Sequence, residues 1–240
     1  MIFLSVESSS KYLSVALGDQ TRLLAGARRL YEKGKSDGLA LLMEACLKKA
    51  KVPLSKVDVF GVGVGPGSFT GLRIGISAIK GLSYALKKPC VGFSSLEAIA
   101  TNFSCAAGSP KTLAVAVDAR RSNVYGRFYA LCPGVVARGR EGLYPLEDFF
   151  AKVPAGLLVA GDILSTAKKD VNRLARGHKE AKEDLWYPTP ESIALLTRRE
   201  CAERRFVDAF RLEAVYYYQQ DCQVKKSTAS LPVGESRVKR

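Results

Sequence analysis

The sequence predicts an α/β protein of two lobes, each a mixed β-sheet flanked by helices. Three observations lead there. Ile2–Val6, Tyr12–Leu17 and Arg22–Arg29 open the chain as short apolar segments separated by turn residues, the pattern of a strand meander. Val57–Val64 is a strand of small and β-branched residues that breaks at Gly65-Pro66-Gly67-Ser68-Phe69 and enters a long helical pattern ending near Leu86. Leu113–Val117 and Val124–Leu131, across the turn Asp118–Asn123, then repeat the opening hairpin. With 240 residues and 47% apolar content, the chain can bury a core of this size.

Taken in order, Glu7-Ser8-Ser9-Ser10-Lys11 joins the first two strands, and Gly18-Asp19-Gln20 leads to the third. Ser36 and Asp37 cap a helix reaching about Lys51, whose core face is Leu39, Leu42, Met43, Cys46, Leu47 and Ala50. Its polar stripe is Asp37, Glu44, Lys48 and Lys51, with Leu41 in the middle of it. The helix after the glycine loop can start on Ser68 or Thr70. Its polar stripe, Arg73, Ser77, Lys80, Tyr84 and Lys87, is narrow, and Leu72, Ile76, Ile79 and Leu86 stand beside Gly71, Gly75 and Ala78. Roughly 220° of its circumference asks for cover, about twice what one core needs. A sheet covers one side; the second lobe or another chain must cover the rest.

The strand Cys90–Phe93 and a helix from Ser94 to about Ala106 complete the first lobe, and Gly108-Ser109-Pro110 reads as the boundary. This divides the chain into a lobe over 1–107, a second over 108–226 and a basic, disordered tail over 227–240. Beyond Pro133 the signals are a short helix at Leu146–Lys152, a strand at Leu157–Ala160, a helix at Ile163–Arg176 and a helix from Thr189-Pro190-Glu191-Ser192 to about Arg204.

Several chemistries are excluded. No glycine is followed by the spacer and Lys-Ser/Thr pair of a P-loop, and the even spacing of Gly61, Gly63 and Gly65 forms no G-x-G-x-x-G. His178 is the single histidine, and Cys46, Cys90, Cys105, Cys132, Cys201 and Cys222 have no ligand spacing, so no metal site is expected and the thiols read as reduced, in a cytoplasm. A catalytic triad would have to use His178, in a charged stretch expected to be exposed. No apolar run is long enough to cross a bilayer, and no export signal precedes the first strand. The net charge of +14 divides evenly: fourteen basic against seven acidic residues up to position 105, twenty-three against sixteen after it. That suits either a well-mixed basic surface or a chain working beside nucleic acid.

Gly65-Pro66-Gly67-Ser68-Phe69-Thr70-Gly71-Leu72-Arg73-Ile74-Gly75 resembles the signature of the TsaB family, the bacterial partner subunits of the complex that makes threonylcarbamoyladenosine beside the tRNA anticodon. The likeness extends to Met1–Leu17, to Asp118-Ala119-Arg120 with Val124-Tyr125, and loosely to the region of Tyr216. The strand meander followed by helix, strand, helix and strand is similar to the opening of actin-like ATPase (RNase H-like) domains. The resemblance implies that fold and a non-catalytic subunit with no catalytic residue, cofactor or metal of its own. It implies a heterodimer with a TsaD-like catalytic paralogue, a TsaE-like ATPase subunit in the larger complex, ATP and a metal in those partners, and weak or indirect contact with tRNA. Whether the chain pairs with itself as a homodimer without the partner is left open by the sequence, and no membrane is involved. It also implies a helical bundle between subunits, with Leu41, Gly71, Leu72, Gly75, Ile76 and Ile79 as the contacts.

Working members of the superfamily carry an Asp for metal in the first hairpin, where this chain has Glu7 followed by Ser8, Ser9 and Ser10. These four either satisfy their own hairpin or keep a remnant nucleotide site. Catalytic relatives hold metal through two histidines on one helix; the matching positions here are Lys35, Leu39 and Met43. Asp118 and Arg120 read as a turn-capping pair. The alternative function is a degenerate actin-fold ATPase, kinase or peptidase acting by itself; a basic RNA-binding module lacks any sequence signature.

Overall fold

The computed structural model describes residues 1–31, 38–104, 112–131 and 134–217. The cap at Ser36 and Asp37, Lys35, the boundary at Gly108–Pro110, Cys105, Cys132, Cys222, Tyr218 and the tail 227–240 lie outside the described residues.

The first sheet contains β1 (Ile2–Glu7), β2 (Tyr12–Asp19), β3 (Leu23–Leu30), β4 (Val59–Gly65) and β5 (Cys90–Ser94) in the order β3-β2-β1-β4-β5. β1 to β3 form the antiparallel meander, whereas β4 and β5 join in parallel. Parallel neighbours need crossovers, supplied by α1 (Gly38–Ala50) and α2 (Phe69–Leu86). The pleat of β1 feeds two separate cores: Leu4 and Val6 pack with α1 and α2, while Phe3 points to the opposite face with Ile193 and Ala98.

The second sheet, of order β10-β9-β6-β7-β8, holds β6 (Thr112–Arg120), β7 (Asn123–Ala130), β8 (Val136–Pro145), β9 (Leu158–Ala160) and β10 (Lys179–Glu180). Its helices are α4 (Leu146–Phe150), α5 (Ile163–Thr166) and α6 (Lys168–Leu174), while α3 (Ser95–Thr101) lies between the lobes, touching β4 and β5 on one side and β6 and β7 on the other. Two lobes, each a mixed sheet flanked by helices, are the arrangement expected from the sequence.

Three expectations change. β8 and β10 were not foreseen, and the helix expected over Ile163–Arg176 is broken at Ala167, whose backbone leaves helical space. The division at 107 separates the strands but not the packing. α7 (Pro190–Ala202), from the second half of the sequence, lies on the first sheet against β2, β5, β1 and β3, with Ile193 and Leu196 in its core. A capping box between Thr189 and Ser192 starts it, and Val207 beyond it bridges to Cys90 of β5.

Candidate functional site

The lobes meet at a cleft over the carboxyl ends of the parallel strands, where ligands bind in open α/β sheets. A cavity of about 460 Å³ is lined there by Ser9, Ser10, Ser68 and Phe69 from the first lobe and by Asp118, Arg120, Tyr125 and Asp162 from the second.

The β1–β2 hairpin reaches this cleft, but its polar groups are largely engaged by the chain itself. The Ser8 hydroxyl donates to the Gly71 carbonyl at 2.8 Å, and the Ser9 carbonyl accepts Ser68 N–H at 2.7 Å. The Ser10 hydroxyl donates to the Tyr12 carbonyl at 3.3 Å and accepts the Tyr12 N–H at 3.2 Å. Glu7 does not reach the cleft. It is fully buried on the α3 side of the sheet, where it accepts from Ser9 N–H at 2.5 Å and from the Ser95 hydroxyl at 2.7 Å. Burial raises its pKa, and the hydrogen bonds from Ser9 and Ser95 only partly oppose this. The glycines of β4 make room for these groups. A Cβ on Gly63 would meet the Glu7 carboxylate at 1.8 Å, and one on Gly61 would meet the hydroxyls of Ser5 and Thr197 at 2.6 Å.

From the other lobe, Asp118 caps its turn, accepting Arg120 N–H at 2.7 Å and the Arg120 guanidinium at 3.0 Å, the turn-capping role read from the sequence. Asp162, which sequence reasoning missed, ties β9 to β6 by accepting Asp118 N–H at 2.9 Å, and burial raises its pKa. The signal was Gly161-Asp162 between a strand and a helix. Gly161 has φ 123° and leaves no room for a Cβ, which would lie 2.0 Å from the Ala116 carbonyl. His178 corrects another expectation: its side chain is 5% exposed, and Nδ1 sits 2.7 Å from the Ala175 carbonyl. Among the described residues, no three His, Cys, Asp or Glu side chains gather as a metal-binding set. The cleft is thus built of groups that brace its own loops.

The face expected to meet a partner is also repositioned. Leu72, Ile76 and Ile79 are 1%, 7% and 0% exposed and pack with Leu4, Val62 and Phe60, so they belong to the chain's own core and offer no contact surface. Gly71 and Gly75 admit close approach, but the backbone that approaches is the chain's own hairpin. A Cβ on Gly71 would lie 1.9 Å from the Ser8 carbonyl oxygen, and one on Gly75 would lie 2.4 Å from the Ser8 hydroxyl. Leu41, by contrast, is 48% exposed, and Ile74, Ala78 and Leu82 are half-buried along the outer side of α2.

Residues 30–137 match the family model described as TsaD, tRNA N6-adenosine threonylcarbamoyltransferase. A TsaB protein of Haemophilus influenzae, named for tRNA threonylcarbamoyladenosine biosynthesis, is 30% identical over 128 residues, 52% of each chain, so the chain spans about half the length of that curated relative. A TsaB of Buchnera aphidicola is 25% identical over 87% of this chain and 99% of its own length. The structure of YeaZ from Pseudomonas aeruginosa superposes with a TM-score of 0.77 at 28% identity, covering 90% of this chain and 99% of that one. The chain is similar to TsaB proteins over most of its length. The likeness to TsaB relatives is carried by the whole fold and not by the glycine loop alone, since the Buchnera protein and YeaZ both align far beyond residue 130.

Proposed function

We propose that the chain is a non-catalytic subunit of the complex that adds the threonylcarbamoyl group to the tRNA adenosine next to the anticodon. It pairs with a TsaD-like catalytic paralogue as a heterodimer, and a TsaE-like ATPase subunit joins the larger complex. ATP and the metal belong to those partners, and the chain contributes binding and support. It works in the cytoplasm. The observation that carries this reading is the near-complete alignment with the TsaB of Buchnera aphidicola and with YeaZ. The cleft supports it, because the hairpin that bears a metal-binding Asp in working superfamily members bears Glu7 here, turned away into the core. The partner surface is the outer side of α1 and α2 around Leu41, Ile74 and Ala78, in place of the buried Leu72, Ile76 and Ile79.

Reconstitution tests this. The purified chain alone should neither hydrolyse ATP nor modify tRNA, and modification should appear when the TsaD-like and TsaE-like proteins of the same organism are added. Turnover by the chain alone would establish an independent actin-fold enzyme instead.

A further inference from the structure

The end of the first lobe opposite the cleft is basic. α1 and α2 lead into the parallel strands β4 and β5, so their C-termini lie along one edge of the sheet. α7 ends there too, since Val207 and Cys90 exchange backbone hydrogen bonds of 2.8 and 3.2 Å. Left-handed residues after helices are usually Gly or Asn. Here they are Lys51 at φ 56°, Lys87 at φ 53° and Arg204 at φ 54°, all exposed. Complementing a helix dipole requires only a cation in the last turn, which α1 already has in Lys48 and Lys49. Placing a cation in the left-handed site carries a conformational cost that glycine avoids.

Beside Lys87 a groove of about 730 Å³ opens between the end of α2 and residues 206–210. Tyr84 and Phe210, 67% and 73% exposed, stand edge to face with ring centroids 5.5 Å apart. The Lys80 amine lies 3.5 Å from the Phe210 carbonyl, and Lys87 and Lys88 line the wall. The acids nearby are engaged: Asp58 faces Lys88 at 3.7 Å, and Asp208 accepts Phe210 N–H at 2.8 Å. Exposed ring faces flanked by amines suit an unpaired base with a phosphate on either side. An acidic peptide would use the amines but leave the rings idle.

We propose that this pole is an RNA-docking surface, on which an unpaired base stacks on the open face of one ring of the Tyr84–Phe210 pair, with the other ring braced against it edge-on, while Lys80 and Lys87 take the flanking phosphates. The proposal rests on the tRNA-modification reading above and assigns to it a face of this chain. The aromatic pair escapes sequence inspection because its two members are far apart in the chain.

The test is equilibrium binding of the full chain to unmodified tRNA and to single-stranded oligouridine across a salt series, with polyglutamate as the protein-like anion. Tyr84→Ala with Phe210→Ala should weaken oligouridine binding about tenfold or more while the melting temperature stays put. Lys87→Gly should weaken tRNA binding and lower the salt slope by about one, yet melt higher, so that lost binding is not lost folding. Wild-type affinity for oligouridine in the aromatic variant overturns the proposal. So does polyglutamate binding as tight as RNA binding, which would mark a protein-docking patch. The reconstituted reaction separates the two levels. A wild-type chain that supports modification while the variants bind RNA normally removes the surface and keeps the function. A wild-type chain inert in that reaction removes the function, and the binding comparison still decides the surface.

Discussion

Ser8 and Gly71 are locked together, the hydroxyl of one donating to the carbonyl of the other at 2.8 Å. A Cβ on Gly71 would stand 1.9 Å from the Ser8 carbonyl oxygen. The contact fastens the first hairpin to the first turn of α2, and it gives the glycine of the signature a task inside the monomer. Because the obstructing atom is backbone, relaxation requires moving the hairpin. Gly71→Ala should therefore destabilise the isolated chain by about 3 kcal/mol, read as a lower urea midpoint without any partner present. An unchanged midpoint combined with lost association would return Gly71 to the interface.

The two apolar positions expected to meet a partner now separate. Ile76 is 7% exposed within the core beneath α2, whereas Leu41 is 48% exposed on α1. Ile76→Glu buries a carboxylate without a counter-ion and should cost several kcal/mol, lowering the melting temperature or preventing folding. Leu41→Glu should melt like the wild type and fail to co-elute with the TsaD-like paralogue. Full-size complex formation by Leu41→Glu would place the interface elsewhere.

The β6–β7 hairpin holds Arg120, Arg121 and Ser122 all at positive φ, 67°, 51° and 57°. The two-residue turn Arg121-Ser122 has the signs of a type I′ turn, which Asn-Gly fits with least strain. Ser122→Gly should stabilise the protein by about 1 kcal/mol, seen as a higher melting temperature. Destabilisation would mean that the Ser122 side chain matters more than its backbone.

Much of this architecture was legible in the sequence, and the failures share a cause. The meander, β4, α2 and β5 carry strong local patterns, and Ser68 caps α2 as its position suggested, accepting Gly71 N–H at 3.2 Å. β8 was missed because Val136–Pro145 contains two glycines and three charged residues, and as an edge strand its faces are mostly exposed. The glycines of β4 were read only as small strand residues, and those of α2 as an interface feature. Their actual work is to accommodate Glu7, Ser5 and Ser8, neighbours that only the strand register reveals. The return of α7 to the first sheet is equally invisible in chain order, as is the meeting of Asp118 and Asp162 at the ends of the neighbouring strands β6 and β9.

Glu7 gives the last prediction, through pH. Burial raises its folded pKa above the ordinary carboxylate value, and the donated hydrogen bonds do not fully compensate. Between the unfolded and folded pKa values the native state therefore holds the extra proton, so this group's contribution to stability falls as pH rises through that window and levels off above it. Glu7→Gln removes the ionisation while keeping both partners: its carbonyl can accept from Ser9 N–H, and its amide can donate to the Ser95 hydroxyl, the two groups that Glu7 contacts at 2.5 and 2.7 Å. The variant should be at least as stable as the wild type at neutral pH, and the two should converge toward acid. Glu7→Ala, in contrast, leaves the Ser9 N–H and the Ser95 hydroxyl without their acceptor and should cost about 1–3 kcal/mol. Melting curves of the three proteins from acid to neutral pH decide the matter. If Glu7→Gln is destabilised most at neutral pH, the native state needs the charge itself, and a cation that Glu7 serves must be sought.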